Sequence, residues 1–244
     1  MENNPEISIV IPAYNEEKRL PSTLEKCFGF LQANRYSFEV IVVDDGSQDN
    51  TSPLVKKYQC RWPNLYLMHN DIKRGKGFSV RRGMLHANGK YIYFSDADLS
   101  TPIEELEKSI AYLRNGYDVV FGSRAMSASQ VIVREAWYRD RMGKIFGFIV
   151  RNLALPGIRD SQCGFKGFQR NAAINIFRRQ TVEGFAFDVE VLFIGRRLGL
   201  RMAEVPVSWK DSPQSKVNPI FDSFNMLIEL IRIRMNNILG RYSF

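Results

Sequence analysis

The feature that most constrains the fold is a regular alternation between short β-branched or aromatic runs and stretches whose apolar residues recur every three or four positions. Residues 7–11 and 38–43 predict strands, and the apolar spacing over 20–31 predicts an amphipathic helix between them. The alternation continues through further predicted strands and helices, at 65–68, 78–87, 91–95, 103–113 and 118–121. Such a series predicts an α/β fold with a mostly parallel, Rossmann-like central sheet and helices on both faces.

The length of 244 residues suits one domain with a sizeable core. After about residue 125 the pattern changes to amphipathic helices that carry basic residues, with a further strand predicted at 202–209. We therefore expect a single domain over residues 1–244 that ends in C-terminal amphipathic helices.

Charge and cysteine usage narrow the partners and the compartment. Lysine plus arginine number 34 against 26 acidic residues, a net charge of +8 that attracts phosphates, anionic lipid or nucleic acid. No recognised nucleic-acid motif is present, so we expect no nucleic-acid partner. The three cysteines, Cys27, Cys60 and Cys163, are odd in number and far apart, which favours a reducing compartment. No apolar run reaches the roughly 18 to 20 residues of a membrane-spanning helix.

Polar loops follow the predicted strands. Because ligands bind beyond the carboxyl ends of the strands in an open α/β sheet, these loops should converge on one rim. They lie at 12–16, 44–47, 75–77 and 96–98.

Asp96 and Asp98 flank Ala97 where a predicted strand ends. Side chains two positions apart leave a strand on the same side, so the carboxylates can converge on a cation. Hard oxygen ligands suit Mg²⁺ or Mn²⁺. The alternative is a helix cap, since Ser100 and Thr101 precede Pro102 as they do at helix starts.

Two other loops carry weaker signals. Asp44-Asp45-Gly46-Ser47 is either a turn before a helix cap or a base-binding loop, in which a carboxylate accepts the imide hydrogen of uracil while Pro12 and Tyr14 contact the ring. Gly75-Lys76-Gly77 precedes a helix N-terminus, where free amides favour phosphate. It matches neither the dinucleotide fingerprint nor a P-loop, which disfavours a dehydrogenase or an NTPase.

Taken together, the motifs resemble the inverting family 2 glycosyltransferases of GT-A fold. The resemblance rests on residues 9–16, 42–47, 74–77, 96–98 and 122–124. Further segments resemble the dolichyl- or polyprenyl-phosphate β-glucosyltransferases, with phosphomannose synthases close behind; these segments are 157–166, 185–190, 207–209 and 215–216.

The resemblance implies a division of labour within the chain. Residues 1–125 would bind the nucleotide sugar and residues 126–244 would face the acceptor and the membrane. Asp96 and Asp98 would hold the divalent metal and the diphosphate, with Arg124 and Lys216 on the phosphates. The nucleotide would contact Pro12, Tyr14, Glu16, Asp45, Lys76 and Ala97, and the acceptor Arg139, Asp160 and Gln162.

The implied reaction moves glucose from UDP-glucose to a polyprenyl phosphate with inversion. Such a phosphate, with a second pKa of about 6, is already ionised at neutral pH, so no general base is required. A hydroxyl acceptor would require one, for which Asp160 and Asp188 are candidates. Their alternatives are structural: a turn for Asp160 and a helix surface for Asp188 with Glu190.

Two segments carry patterns of a membrane surface. Residues 134–151 alternate arginine and lysine with apolar residues, as in an interfacial helix or a helix packed on the core with a solvated basic face. The apolar stripe over 221–238 fits core packing, a dimer seam or membrane contact. The resembling eukaryotic enzymes carry an N-terminal anchor that this sequence lacks, so we expect peripheral contact at the cytoplasmic face, with a homo-oligomer as an open alternative.

Several rival functions remain at this stage. A GDP-mannose donor or a carbohydrate hydroxyl acceptor would use the same site. A catalytically silent nucleotide- or lipid-binding module is the alternative outside enzymes, disfavoured by the presence of Asp96, Asp98 and Lys216.

Overall fold

The computed structural model describes residues 4–133, 137–210 and 219–242. The strands are β1 Ile7–Ala13, β2 Phe38–Asp44, β3 Leu65–His69, β4 Tyr91–Ser95, β5 Val119–Ser123, β6 Gln130–Val133, β7 Phe165–Gln169, β8 Met202–Pro206 and β9 Ser208–Lys210. The helices are α1 Leu20–Ala33, α2 Thr51–Gln59, α3 Lys76–His86, α4 Glu105–Arg114, α5 Trp137–Leu153, α6 Arg170–Arg179, α7 Phe187–Arg197 and α8 Pro219–Ile238.

The central sheet has seven strands in the order β3-β2-β1-β4-β7-β5-β8. Neighbouring strands are parallel except that β7 runs antiparallel to both β4 and β5. This confirms the predicted mostly parallel α/β sheet. The single strand predicted at 202–209 divides at Val207, because β8 joins the main sheet while β9 pairs with β6 in a separate two-stranded sheet.

Apolar side chains fill both faces of the sheet, as alternation along buried strands requires. Val10 and Phe94 pack with α3, α6 and α7 on one face, whereas Ile9 and Tyr93 pack with α1 and α4 on the other. Each such fully buried side chain contributes about 1.5–3 kcal/mol. Helices therefore cover both faces, as predicted.

The direction of β7 places a segment from later in the chain at the functional rim. Because β7 is antiparallel to β4, its N-terminal end lies beside the carboxyl end of β4, and Ser95 pairs with Phe165. Gly164 consequently lies against Asp96. The rim is built from the carboxyl ends of the parallel strands and the entrance to β7.

The described part of α8 has two apolar faces. Met226, Leu230 and Ile233 are buried in the core. The predicted stripe lies on the opposite side: Ile231 is 54% exposed and Ile238 is 79% exposed. Core packing is therefore wrong for residues 228–238 of this stripe, whose side chains the structure describes. Within the described residues, no helix is both long enough and apolar enough to cross a bilayer.

Candidate active site

Asp96 and Asp98 lie in a tight turn directly after β4. The Leu99 amide donates to the Asp96 carbonyl, and Leu99 has a φ of +48°, which bulky residues rarely adopt. Asp98 Oδ1 accepts the Ser100 amide at 3.0 Å and the Ser100 hydroxyl at 2.9 Å. The following helix, α4, begins only at Glu105, so the helix-cap alternative for the two aspartates is wrong.

Lys76 and Gly164 shape the surroundings of Asp96. Lys76 Nζ lies 2.6 Å from Asp96 Oδ1. A Cβ on Gly164 would lie 1.9 Å from Asp96 Oδ2, so only glycine leaves room for this carboxylate. Lys76 was predicted to contact the nucleotide. The requirement for glycine at 164 was missed, because it depends on a contact between β4 and β7.

Arg19 is a further site residue that the sequence analysis missed. Its guanidinium binds both carboxylate oxygens of Glu16, at 2.5 and 2.6 Å, and lies 3.4 Å from Asp98 Oδ2. Nearby, the Thr23 hydroxyl donates to the Ala97 carbonyl at 2.6 Å. The start of α1 is thus attached to the Asp96–Asp98 turn. Glu16 and Ala97, both predicted to contact nucleotide, are buried in this junction.

Asp45 organises the loop that carries Lys76. Its carboxylate accepts hydrogen bonds from the amides of Arg74 at 2.9 Å and Gly75 at 2.8 Å, and from Asn70 Nδ2 at 2.9 Å. The predicted contact with uracil would have to share this carboxylate with its loop partners. Asp44 is also buried and bonds with Ser52.

The α3 N-terminus differs from the predicted phosphate cradle. The amides of Gly77 and Phe78 donate to the Glu183 carbonyl, at 2.8 and 3.3 Å, rather than pointing at the rim. A Cβ on Gly75, whose φ is +117°, would lie 2.4 Å from the same carbonyl oxygen. The glycines allow close packing against the 181–186 segment, and the Lys76 side chain is the group that reaches the site.

The 181–186 segment is itself held by Glu190. This fully buried carboxylate accepts the amides of Thr181 and Val182 and, at 2.6 Å, the hydroxyl of Tyr242. Glu190 and Asp188 are both buried, so the alternative that placed them on a helix surface is wrong.

Tyr14 and Pro12 differ in how accessible they are to the base of a nucleotide. Pro12 is buried within β1, where it pairs with Val43 of β2. Tyr14 is partly exposed, and Lys73 Nζ lies 4.2 Å from its ring centroid. Of the predicted base-contacting pair, Tyr14 is the one on the rim.

Arg124 and Asp160 form a second charged group beyond β5. The guanidinium donates to Asp160 at 2.7 and 3.1 Å, and the Arg124 amide donates to it at 2.9 Å. Burial alone would raise the pKa of Asp160, but Arg124 outweighs burial and lowers that pKa to about 2. The partly exposed Gln162 donates its amide to Asp160 at 3.1 Å.

Lys166 and Asp188 form a buried ion pair behind the rim. Lys166 Nζ donates to the Asp188 carboxylate and, at 2.6 Å, to the Cys163 carbonyl. Burial raises the pKa of Asp188, and the neighbouring ammonium groups of Lys166 and Lys76 oppose that rise. Asp188 was predicted as a candidate general base. Lys166 ends the resembling segment 157–166 and had no predicted role of its own.

The side chains of two predicted site residues, Lys216 and Arg139, lie outside the described part of the chain. Lys216 lies outside the described residues, and Arg139 belongs to α5 but its side chain lies outside the described part of the chain. Among the described residues, no three His, Cys, Asp or Glu side chains gather as a metal cage. Asp96 and Asp98 remain the candidate pair, and one or two carboxylates plus substrate phosphates are what Mg²⁺ usually takes.

Known proteins are similar to this chain in sequence and in fold. The chain matches Glycosyl transferase family 2 over residues 8–177. It is 36% identical to a dolichyl-phosphate beta-glucosyltransferase of Dictyostelium discoideum, over 96% of this chain and 75% of that protein, and 36% identical to the Homo sapiens protein of that name, over 97% and 77%. Glucosyl-3-phosphoglycerate synthase from Mycobacterium tuberculosis, crystallised with Mn²⁺, UDP and phosphoglyceric acid, superposes with a TM-score of 0.69 at 18% identity, over 98% of this chain and 79% of that one.

The mostly parallel sheet has the GT-A fold. The chain belongs to glycosyl transferase family 2. The predicted family and fold are confirmed.

Proposed function

We propose that this protein is a metal-dependent inverting transferase that moves glucose from UDP-glucose to the phosphate of a dolichyl-type polyprenol. The names of the relatives support the sugar and the acceptor. Mycobacterium tuberculosis synthase structures of the same fold, crystallised with Mn²⁺ and UDP-glucose, support the donor and the divalent metal.

The contacts of the two candidate general bases, Asp160 and Asp188, support a phosphate acceptor over a hydroxyl acceptor. Asp160 is held by Arg124 with its pKa lowered to about 2, and Asp188 is buried against Lys166. A hydroxyl acceptor would need one of them to take a proton. A phosphate monoester needs neither, since it is already largely dianionic at neutral pH. The site therefore favours a phosphate acceptor.

Asp96 and Asp98 fit a divalent metal. They are adjacent hard oxygen donors, partly exposed, with the cationic side chains of Lys76 and Arg19 beside them. A bound Mg²⁺ or Mn²⁺ would supply electrostatic stabilisation of the leaving diphosphate.

The residues of the chain bind and orient the substrates and stabilise the phosphate charge. An oxygen of the acceptor phosphate attacks the anomeric carbon while the bond from that carbon to the diphosphate breaks, and no proton moves. Lys76, Arg124 and Lys216 stabilise phosphate charge in this step. Arg124 lies beside Asp160 and 5.4 Å from the Trp209 ring, so its guanidinium is oriented before substrate binds. Tyr14 contacts the base, with Asp45 supporting the Lys76 loop, while Arg139 and Gln162 serve the acceptor.

We place the acceptor half, residues 126–244, against the membrane and the nucleotide half, residues 1–125, away from it. The neighbouring helices α5 and α8 both carry exposed apolar residues, which are Ile145, Phe148 and Leu153 in α5 and Ile228, Ile231, Met235 and Ile238 in α8. The exposed Leu239 follows α8 directly. The exposed Arg232, Arg234 and Arg241 flank the α8 stripe. An apolar stripe with cationic edges fits an anionic lipid surface. The three free cysteines support the cytoplasmic side.

Vesicle sedimentation tests the membrane contact. Ile231→Glu should reduce binding to vesicles containing phosphatidylserine, whereas Ile72→Glu, at another exposed isoleucine, should leave it unchanged. If Ile231→Glu instead converts a dimer into a monomer by light scattering without affecting vesicle binding, the stripe is a subunit interface.

A transfer assay tests the reaction. Purified protein is incubated with radiolabelled UDP-glucose or GDP-mannose, with a polyprenyl phosphate or the matching polyprenol, and with Mg²⁺ or Mn²⁺. The proposal expects label in the organic phase only from UDP-glucose, only with the phosphate, and not with EDTA. Preferential transfer from GDP-mannose would overturn the sugar, and transfer to the polyprenol would overturn the base-free mechanism.

A further inference from the structure

Glu190 is a buried carboxylate that the proposed chemistry does not use. It is 0% exposed in α7 and contacts the segment of residues 180–183, which we call the support segment. Its hydrogen-bond donors are the amides of Thr181 and Val182, at 3.0 and 2.8 Å, and the hydroxyls of Thr181 and Tyr242, at 2.7 and 2.6 Å. Because a buried charge is costly unless it is hydrogen-bonded, Glu190 and these donors keep one another in place.

Tyr242 reaches Glu190 from beyond the end of α8. Its side chain is buried, and its ring packs edge-on against Phe193 with the centroids 6.0 Å apart. Burial and then the charge of Glu190 raise the pKa of Tyr242, so the hydroxyl keeps its proton and donates to the carboxylate. Asn236 of α8 also donates to the Thr181 hydroxyl at 3.0 Å. The end of α8 and Tyr242 therefore both hold the support segment.

The support segment in turn holds the start of α3. The Glu183 carbonyl accepts the amides of Gly77 and Phe78, at 2.8 and 3.3 Å, and Gln180 Nε2 donates to the Gly77 carbonyl at 2.9 Å. Amides in the first turn of a helix have no partner within that helix, so these contacts decide where α3 begins. A Cβ on Gly77 would lie 2.6 Å from a carbonyl oxygen of the support segment, so the two backbones are in close contact. Lys76, the first residue of α3, depends on this packing for its position.

We propose that Tyr242 is a positioning residue for the donor site, because its hydroxyl holds Glu190 and Glu190 holds the segment that supports Lys76. The inference rests on the proposed function, in which Lys76 stabilises phosphate charge. Without the hydroxyl, Glu190 keeps its other donors but loses the contact from the C-terminal side. The support segment and the first turn of α3 then open more often, and Lys76 is in place for a diphosphate for less of the time.

Tyr242→Phe removes the hydroxyl and keeps the ring. Tyr93→Phe is the matched control, because Tyr93 is also fully buried and its hydroxyl accepts a hydrogen bond from Ser109 at 3.3 Å, on the face of the sheet opposite the support segment. Circular dichroism with thermal unfolding verifies that both variants fold. Should Tyr242→Phe not fold, Thr181→Val carries the same test, since it removes the other hydroxyl that donates to Glu190.

Hydrogen exchange followed by mass spectrometry tests the positioning without any ligand. Tyr242→Phe should raise the exchange rate of peptides spanning 75–79 and 180–184 about tenfold, because the loss of a charge-assisted hydrogen bond shifts a local opening equilibrium by about that factor. Tyr93→Phe should leave both peptides at the wild-type rate. Unchanged exchange at 75–79 in Tyr242→Phe would overturn the proposal. An equal rise throughout the protein would also overturn it, because that result marks a general loss of stability.

Calorimetric titration with UDP in the presence of Mn²⁺ tests the effect on the donor site. Tyr242→Phe should weaken UDP binding about fivefold, whereas in a Lys76→Met background the same change should alter it less than about twofold, because the Lys76 contact is already absent. No loss in the wild-type background, or an equal loss in both backgrounds, would overturn the proposal. A wild type that binds no UDP would overturn the proposed function, while the exchange at 75–79 would still decide whether Tyr242 positions the Lys76 loop.

Discussion

Lys76 Nζ contacts Asp96 Oδ1 at 2.6 Å across the gap between the start of α3 and the end of β4. The loop of Lys76 is fastened to the end of β2 by Asp45, whose carboxylate holds the amides of Arg74 and Gly75. This ion pair therefore joins two separate strand ends at one point.

Asp98→Asn should lose most turnover while the protein stays folded. The substitution keeps the side chain's size but removes a charge from the proposed metal site. A loss of about 10²–10³-fold in kcat is expected, the size seen when one transition-state-stabilising group is removed. The radiolabel transfer assay measures it beside Glu107→Gln, an exposed carboxylate on α4. Full activity in Asp98→Asn would contradict the metal assignment.

Gly164→Ala should damage the site with little effect on stability. Its new Cβ would lie 1.9 Å from Asp96 Oδ2, so the Asp96 carboxylate must move. Displacement by about 1 Å can reduce turnover about 10²-fold. Gly29→Ala in α1 is the matched control: a Cβ there meets nothing within 4 Å and should add about 0.5–1 kcal/mol of stability at full activity. Equal activity of both variants would show that Asp96 tolerates displacement.

Arg19→Lys should weaken the binding of UDP with Mn²⁺. Lysine keeps the charge but cannot bind Glu16 with two parallel hydrogen bonds while approaching Asp98. We expect about a tenfold loss of affinity by isothermal titration calorimetry, about 1.4 kcal/mol. Arg61→Lys, in an exposed pair with Glu25, should change nothing. Unchanged binding in Arg19→Lys would mean that the charge alone suffices.

Asp160→Asn should reduce stability in a pH-dependent way. The pKa of Asp160 falls from 3.8 to about 2 on folding, so its ion pair contributes about 2 kcal/mol above pH 4. That contribution is lost as the pH falls through 2, with about half gone by pH 3. Urea unfolding at pH 6, 5, 4 and 3 should show the gap between wild type and variant narrowing below pH 4. A gap that stays constant to pH 3 would exclude this origin.

The meeting of the strand-end loops at one rim could be predicted from the sequence for a physical reason. Parallel strands all end at one edge of a sheet, so the loops that carry Asp45 and Asp96 could be assigned to one rim from strand order alone. Arg124 was predicted only through the resemblance to a known family. The structure brings these strand ends together as expected. Strand periodicity did not predict the arrangement of Asp96 and Asp98, because β4 ends at Ser95 and the two aspartates lie in the turn that follows.

The remainder depended on contacts that no local pattern encodes. Arg19 precedes α1 and meets Asp98 only because α1 packs against the β4 turn. Gly164 and Lys166 reach the site because β7 is antiparallel, a direction that periodicity does not reveal. The α8 stripe was ambiguous because α8 is apolar on two faces, and only its packing shows that Ile231 and Ile238 point outward.

Tyr242 closes the series of contacts that begins at Lys76. Its hydroxyl holds Glu190, Glu190 holds Val182, and the neighbouring Glu183 carbonyl accepts the Gly77 amide. A tag, fluorophore or surface tether attached next to Tyr242 would disturb its hydrogen bond to Glu190 and, through Glu190, the segment that packs against the Lys76 loop. Labels placed on the exposed faces of α2 or α4 would leave these contacts undisturbed.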